Sequence, residues 1–156
     1  MATVGGMDGN IIHLLNNLIE LDYDAIEAYE AAVARLKDAD DREQFRMYMA
    51  DHVRHTNALS SAVRQLGGDP AAKGGFMRLL TKGKVVLAAL VDDRAILFAM
   101  KTNEADTNLA YERAAKHEGL SPEVAAILEK NLGDERRHKA WIEERLEAYA
   151  HQEQRA

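Results

Sequence analysis

Two short segments of this 156-residue chain resemble each other, and they decide how it folds. The first is Asp51-His-Val-Arg-His55, and the second is Asp134-Glu-Arg-Arg-His138. A second pair of segments agrees with them, because Asp24-Ala-Ile-Glu-Ala-Tyr-Glu30 matches Asp106-Thr-Asn-Leu-Ala-Tyr-Glu112. The repetition indicates an internal duplication of one helical hairpin.

Around these segments, apolar residues recur at alternating three- and four-residue steps, which is typical of amphipathic helices. Asp40 is expected to cap helix 2, and Ser121 followed by Pro122 is expected to start helix 4. The predicted helices run from about Asn10 to Leu36, from Asp40 to Leu66, from Val85 to Lys116 and from Pro122 to Ala150.

The connections between these helices predict the topology. Short links join helix 1 to helix 2 and helix 3 to helix 4, whereas a glycine-rich stretch from Gly67 to Lys84 joins the two halves. We therefore predict an all-α fold, an antiparallel four-helix bundle with a longer connection between helices 2 and 3. The predicted division is a flexible N-terminus over residues 1–9, the bundle over residues 10–150 and a C-terminal tail over residues 151–156.

The composition excludes several kinds of site and partner. The chain has 20 basic and 26 acidic residues, and its net charge of −6 argues against nonspecific nucleic-acid binding. It has no cysteine, so thiolate ligands and thiol nucleophiles are excluded. No apolar run approaches the roughly 20 residues that span a bilayer, and residues 1–9 show no secretory pattern. We predict a cytoplasmic protein that binds no membrane.

Ionisable residues interrupt the apolar face of every predicted helix. Measured from the two short turns, these residues stand at about the same height, so we expect them in one layer inside the bundle. Asp22 precedes His52 and His55 by 30 and 33 residues, and Glu104 precedes Glu135 and His138 by 31 and 34.

Such a layer needs a cation, because burying six ionisable side chains without compensation costs several kcal/mol for each. One carboxylate from each of two helices, with Glu-x-x-His from each of the others, is an arrangement that holds two iron or manganese ions. Nitrogen and oxygen donors suit iron, manganese or zinc and do not distinguish among them. The predicted metal ligands are Asp22, His52, His55, Glu104, Glu135 and His138.

With these residues, the chain resembles the ferritin-like superfamily, which includes bacterioferritins, rubrerythrins and small ferritin-like stress proteins. The resemblance covers about residues 10–150. It implies two bound ions, with iron as the expected metal, that react with dioxygen or hydrogen peroxide or oxidise Fe(II). It also implies that Asp22 and Glu104 are the single carboxylates of helices 1 and 3.

Two residues depart from the pattern of that superfamily. His52 stands where the helix 2 motif has Glu, and Asp22 stands where Glu is usual. The resulting set of three carboxylates and three imidazoles leaves two divalent ions one negative charge short of the usual balance. The sequence therefore leaves open a mononuclear or asymmetric site, weak metal retention, a site that has lost its activity, and no bound ion. Glu27 or Glu30 is an alternative to Asp22.

A second hypothesis is a noncatalytic helical bundle that acts in stress or in partner binding, with a metal-free polar layer. Exposed apolar residues such as Trp141 and the Val85 to Val91 segment favour a homodimer.

Three further predictions concern five individual side chains. Tyr29 and Tyr111 are expected to pack with their hydroxyls on a partner. Tyr48 and Asn131 are candidates for orienting the ligands one turn after them on helices 2 and 4. Asp93 is expected to pair with Arg145 or Arg94.

Overall fold

The computed structural model describes residues 4–74 and 90–156, with side chains from Asp8 onward. This part of the chain forms four helices, which confirms the predicted all-α antiparallel bundle with its longer connection between the second and third helices. Helix α1 packs against α2 and α3, and α4 packs against α3 and α2. The bounds are α1 Val4–Arg35, α2 Ala39–Gln65, α3 Asp93–Ala115 and α4 Pro122–Arg155.

Three helix boundaries differ from the prediction. Helix α1 begins at Val4 instead of near Asn10, and α4 continues through the predicted tail to Arg155. Extending an existing helix orders one residue for each added hydrogen bond, so weak local propensity does not end it. Helix α3 begins only at Asp93, where the Asp92 carboxylate accepts from the Ala95 backbone amide at 2.8 Å. Residues 75–89, which include most of the predicted start of helix 3, lie outside the described residues.

Side-chain caps explain the other helix ends. Asp38, and not Asp40, caps α2, because its carboxylate accepts from the backbone amides of Asp40 and Asp41, each at 2.9 Å. Asp38 has an extended backbone, which is the conformation of an N-cap residue, whereas Asp40 already lies inside the helix. The predicted cap of α4 is confirmed, since Ser121 accepts from the Val124 amide at 3.2 Å.

The core consists of two apolar clusters, one on each side of a polar layer. One cluster includes Leu15, Leu59 and Leu128, and the other includes Phe45, Leu97 and Met100. All four helices contribute to each region, so the polar residues between them are shielded from water by packed side chains. This arrangement places the predicted ligand layer at the middle of the bundle.

Asp93 binds the loop between α1 and α2, so its predicted pairing with Arg145 or Arg94 is wrong. Its carboxylate accepts from the backbone amides of Lys37 and Asp38 at 2.9 and 2.8 Å. These amides precede the helical hydrogen bonds of α2 and need an acceptor, which a neighbouring carboxylate supplies. Arg145 instead contacts Asp41 and Asp38.

The described surface differs from the expectation that Trp141 is an exposed apolar residue. Trp141 is half-buried, with its ring centroid 6.1 Å from that of Phe45 and 5.9 Å from that of Tyr48, so it is not a free apolar edge. Val91 is exposed, and residues 85–89 of the same predicted edge lie outside the described residues. Within the described ranges, no helix combines the length and apolar composition needed to cross a membrane.

Candidate metal centre

The structure brings all six predicted ligands into one buried cluster, in which each side chain is at most 2% exposed. Two overlapping groups of four residues each have one ligand atom per residue within 4.8 Å of the others. His52 and Glu135 belong to both groups. The Asp22 group contains Asp22, His52, His55 and Glu135, and the Glu104 group contains His52, Glu104, Glu135 and His138.

The duplicated hairpins explain why these side chains meet. Helix α1 provides Asp22 and α3 provides Glu104 at corresponding places of the two hairpins, while α2 and α4 each provide two ligands three residues apart. That spacing keeps both ligands of a pair on one helical face. The two halves therefore face each other across a pseudo-twofold axis. This axis relates the position of His52 in one hairpin to that of Glu135 in the other.

Imidazole nitrogens and carboxylate oxygens converge at the centre of the cluster. His52 Nδ1 lies 2.7 Å from Asp22 Oδ1 and 3.3 Å from Glu135 Oε1. The Nδ1 atom of His55 is also 3.3 Å from Glu135 Oε1. On the other side, the distances to Glu104 Oε1 are 3.6 Å from His52 Nε2 and 3.5 Å from His138 Nδ1.

Two aspartates that the ligand prediction missed orient the outer nitrogens of the histidines. His138 Nε2 donates to Asp51 at 2.8 Å, and His55 Nε2 donates to Asp134 at 3.0 Å. Each aspartate belongs to the opposite hairpin from the histidine that it contacts, and each directly precedes a predicted ligand in the repeated segment. A carboxylate behind a ligating imidazole determines its tautomer and its orientation. The repeat itself was the available signal, because it includes both aspartates.

Two arginines link these aspartates. Arg54 contacts Asp51 at 2.6 Å and Asp134 at 2.9 Å, and Arg137 contacts Asp51 at 2.8 Å and Asp134 at 2.9 Å. Hydrogen bonds from these cations and from the histidines hold the pKa of both aspartates below the usual range, although burial acts in the opposite direction. Both aspartates are thus ionised acceptors at neutral pH, so the facing histidine nitrogens carry the protons.

Two buried tyrosines contact the single carboxylates across the same axis. Tyr111 donates to Asp22 Oδ2 at 2.5 Å, and Tyr29 donates to Glu104 Oε1. Both therefore pack with their hydroxyls on a partner, as predicted. Asn131 donates to the Tyr111 hydroxyl at 3.3 Å and so acts on the cluster indirectly.

Tyr48 is the other residue considered for orienting a ligand. Its ring packs on the His138 imidazole with centroids 4.1 Å apart, which restricts the rotation of that ring. By contrast, Glu27 and Glu30 are exposed, so neither is placed to substitute for the buried Asp22.

Burial and contacts within the cluster shift the pKa values of its side chains in opposite directions. Burial acts to raise the pKa of Asp22, but hydrogen bonds from His52 and His55 outweigh it and lower that pKa. Burial acts to lower the pKa of His55, but its hydrogen bonds to Asp22 and Glu135 raise it to about 9. At Glu135, burial dominates and raises the pKa to about 8. A cation that binds here must therefore displace protons.

Several buried donor and acceptor atoms of the cluster have no hydrogen-bond partner within residues 4–74 and 90–156. A buried polar atom without a partner costs about 1–3 kcal/mol, so its persistence calls for a physical explanation. Imidazole nitrogen and carboxylate oxygen are ligands that iron, manganese and zinc accept, so the donor set fits a metal ion. The atoms are His52 Nε2, Glu104 Oε2, Glu135 Oε1, Glu135 Oε2 and His138 Nδ1.

The fold and this cluster define the class of the protein as a ferritin-like four-helix bundle. A bacterioferritin-related protein from Bacteroides fragilis, described as a dodecameric thioferritin, has a TM-score of 0.79 and 16% identity over 94% of this chain and 90% of its own. A structure of ferritin-like, diiron-carboxylate proteins from Bacillus anthracis str. Ames has a TM-score of 0.75 and 21% identity over 90% of this chain and 97% of its own. The predicted ferritin-like resemblance is confirmed at the level of the fold.

The particular family follows from the sequence. Residues 10–118 match the family described as "Domain of unknown function (DUF2383)", and the chain belongs to this family, which is ferritin-like. The match covers α2, α3 and nearly all of α1, whereas Glu135 and His138 lie beyond it on α4. A comparison with curated proteins gave no match.

Proposed function

We propose that this protein is a ferritin-like dimetal carboxylate protein that binds two iron ions, with manganese or zinc as alternatives. The observation that carries the proposal is the convergence of buried, unpartnered nitrogen and oxygen atoms in the described part of the bundle. The proposed ligands are Asp22, His52, His55, Glu104, Glu135 and His138.

The proposed reaction is the consumption of dioxygen or hydrogen peroxide, or the oxidation of Fe(II). Bound iron would supply the exchange of electrons that such chemistry requires. The name of the Bacillus anthracis structure, which refers to diiron-carboxylate proteins, supports this assignment. The substrate, the predicted cytoplasmic location and self-association stay predictions, and the dodecameric Bacteroides fragilis protein supports a search for oligomers.

The residues of this chain contribute orientation and exclusion of water. Asp51 and Asp134 hold the outer protons of His138 and His55, so the Nδ1 atoms of both rings face the centre. The Tyr29 and Tyr111 hydroxyls position one oxygen of each single carboxylate. The apolar clusters on both sides keep bulk water away from the polar layer, which strengthens the electrostatic interactions inside it.

The first experiment is elemental analysis of the full chain expressed with iron and manganese available. We expect about two ions for each chain, as in other bundles with paired carboxylates and histidines. The double variant His55→Ala/His138→Ala should bind neither ion tightly, because each change removes an inward-facing nitrogen. The matched control His13→Ala/His117→Ala changes two exposed histidines outside the cluster and should keep both ions.

A metal-free polar layer is the competing function, that of a noncatalytic bundle. The hydrogen bond between His52 and Asp22 favours it, because protein contacts already satisfy that part of the layer. Wild-type protein that binds no transition metal under anaerobic Fe(II) titration would support this reading and contradict the dimetal proposal.

Asp51→Asn tests the role of the outer carboxylates. We expect metal affinity to fall about 10–100-fold, because an amide is uncharged and can donate as well as accept, so it no longer enforces the His138 tautomer whose Nδ1 lone pair faces the centre. Asp106→Asn, at an exposed position of α3, is the control and should leave affinity unchanged. The measurement is competition with a chromophoric chelator, and equal affinities in the two variants would refute the role.

A further inference from the structure

We infer that the two ion positions of the proposed centre are unequal and fill in a defined order. The first ion binds in the Glu104 group, and the position in the Asp22 group fills second and more weakly. This inference rests on the proposed function and adds to it which half of the cluster binds first. It follows from the hydrogen bonds of the metal-free cluster.

The Glu104 group contains every cluster atom without a hydrogen-bond partner in the described residues. Each of its four members has at least one such atom, and these atoms belong to His52, Glu104, Glu135 and His138. An ion in this group would satisfy all of them without breaking a hydrogen bond to Asp22. A cation that enters this group therefore displaces protons, but it breaks no hydrogen bond to Asp22.

The Asp22 group, in contrast, is already satisfied by the protein around Asp22 and His55. Asp22 Oδ1 accepts from His52 Nδ1 at 2.7 Å and from His55 Nδ1 at 3.2 Å, and Oδ2 accepts from Tyr111. The second nitrogen of His55 contacts Asp134 at 3.0 Å. An ion that uses Asp22 and His55 must first replace the histidine hydrogen bonds to the aspartate.

His52 is the residue that makes the halves differ. Its Nδ1 donates to Asp22, which leaves Nε2 facing the Glu104 group at 3.6 Å from Glu104 Oε1. Asp22 thus orients His52 as Asp51 orients His138, with a carboxylate behind an imidazole whose other nitrogen has no hydrogen-bond partner among the described residues. The matching position in the other hairpin is Glu135, whose carboxyl oxygens have no hydrogen-bond partner in the described residues. The hydrogen bonds of the two hairpins also differ at the next pair of ligands, because His55 Nδ1 donates to Asp22, whereas His138 Nδ1 has no partner in the described residues.

The expected difference in affinity follows from the hydrogen bonds that the second ion must replace. Exchanging one hydrogen bond to a charged group corresponds to a change of about tenfold or more in a binding constant. We therefore expect the first ion to bind at least about tenfold more tightly than the second. A cluster with Glu at position 52 would have a smaller difference, because only the His55 hydrogen bond to Asp22 would remain.

The test is an anaerobic Co(II) titration of the full chain after removal of metal with a chelator, followed by calorimetry and by visible absorption. Wild-type protein should show two steps of unequal affinity. His138→Ala should lose the tight step, whereas the mirror variant His55→Ala should keep it and lose the weak step. Because these variants remove equivalent ligands of the two hairpins, each is the matched control for the other.

The outcomes separate this inference from the proposed function. Two steps of equal affinity, or equal effects of the mirror variants, would overturn the inference and leave a dimetal protein. Binding of no Co(II) by the wild-type chain would overturn both. His138→Gln and His55→Gln preserve side-chain volume, so the comparison does not depend on the folding of the alanine variants.

Two further measurements test the assignment directly. Crystals of the wild-type chain with one equivalent of Co(II) should show one anomalous peak, between His52, Glu104, Glu135 and His138. A peak beside Asp22 and His55 would contradict the order of filling. His52→Glu should lower the ratio of the two affinities by about tenfold, because the shorter of the two histidine hydrogen bonds to Asp22 is gone. An unchanged ratio in that variant would also contradict it.

Discussion

Loading the metal-free protein with Co(II) or Fe(II) is expected to raise its Tm by about 8–16 °C when the free ion is at 1,000 times its Kd. The gain arises because an ion bound only to the folded chain stabilises it by about 4 kcal/mol at that concentration. The folded chain presents buried, unpartnered ligand atoms in its described part, and unfolding separates them because they lie on three different helices. Differential scanning calorimetry with and without the ion measures the shift.

The double variant His55→Ala/His138→Ala provides the control for this shift. It removes one inward-facing nitrogen from each hairpin and keeps the carboxylates, so nonspecific binding to acidic surface residues is unchanged. We expect its Tm to rise by less than about 2 °C in the same solution. An equal rise in the variant and the wild type would show that stabilisation comes from elsewhere on the chain.

Replacing Arg145 with Met is expected to lower the free energy of unfolding by about 3 kcal/mol. The change leaves the buried Asp41 carboxylate without its cation, since that carboxylate accepts from Arg145 Nε at 2.6 Å and from the Tyr149 hydroxyl at 2.7 Å. Removing one partner of a buried ion pair costs about 3–5 kcal/mol, and the 26% exposure of the Arg145 side chain favours the lower end. Urea unfolding of the metal-free protein measures the loss.

Arg94→Met is the matched control, because it removes an arginine from an ion pair at the surface. The Arg94 and Glu153 side chains are 50% and 59% exposed, so we expect a loss below about 1 kcal/mol. Adding Asp41→Asn to Arg145→Met should recover part of the stability, because it removes the uncompensated charge. If the two arginine variants lose equal stability, the contact with Asp41 is not the cause.

The periodicity of apolar residues was sufficient to predict the bundle and its topology. Long stretches without proline let each helix extend. The long apolar patterns correspond to α1, α2 and α4, which have 32, 27 and 34 residues. The boundaries were less accurate, as at Val4 and Asp93, because a helix end depends on caps and on packing beyond the local sequence. Asp38 was missed as a cap for the same reason, since its extended backbone is set by the turn after α1.

In the buried cluster, too, spacing within one hairpin predicted the positions of the ligands, but it did not predict the contacts between the two hairpins. The spacing within the duplicated hairpins placed Asp22 and Glu104 opposite the paired ligands, and the structure does bring all six side chains together. The contacts from Asp51 to His138 and from Asp134 to His55 cross between hairpins, so no spacing along the chain predicts them. Their role depends on how the two hairpins pack.

The amino-acid sequence by itself determined the helices, the duplication and the heights at which ionisable residues enter the core, because helical geometry converts spacing along the chain into position on a face. Only the tertiary structure decided which way each buried ring points and which atoms of the described cluster are left without partners. The direction of His52 toward Asp22 is the clearest case. A hydrogen bond depends on distance and angle between atoms of different helices, and those are set by packing and not by sequence spacing.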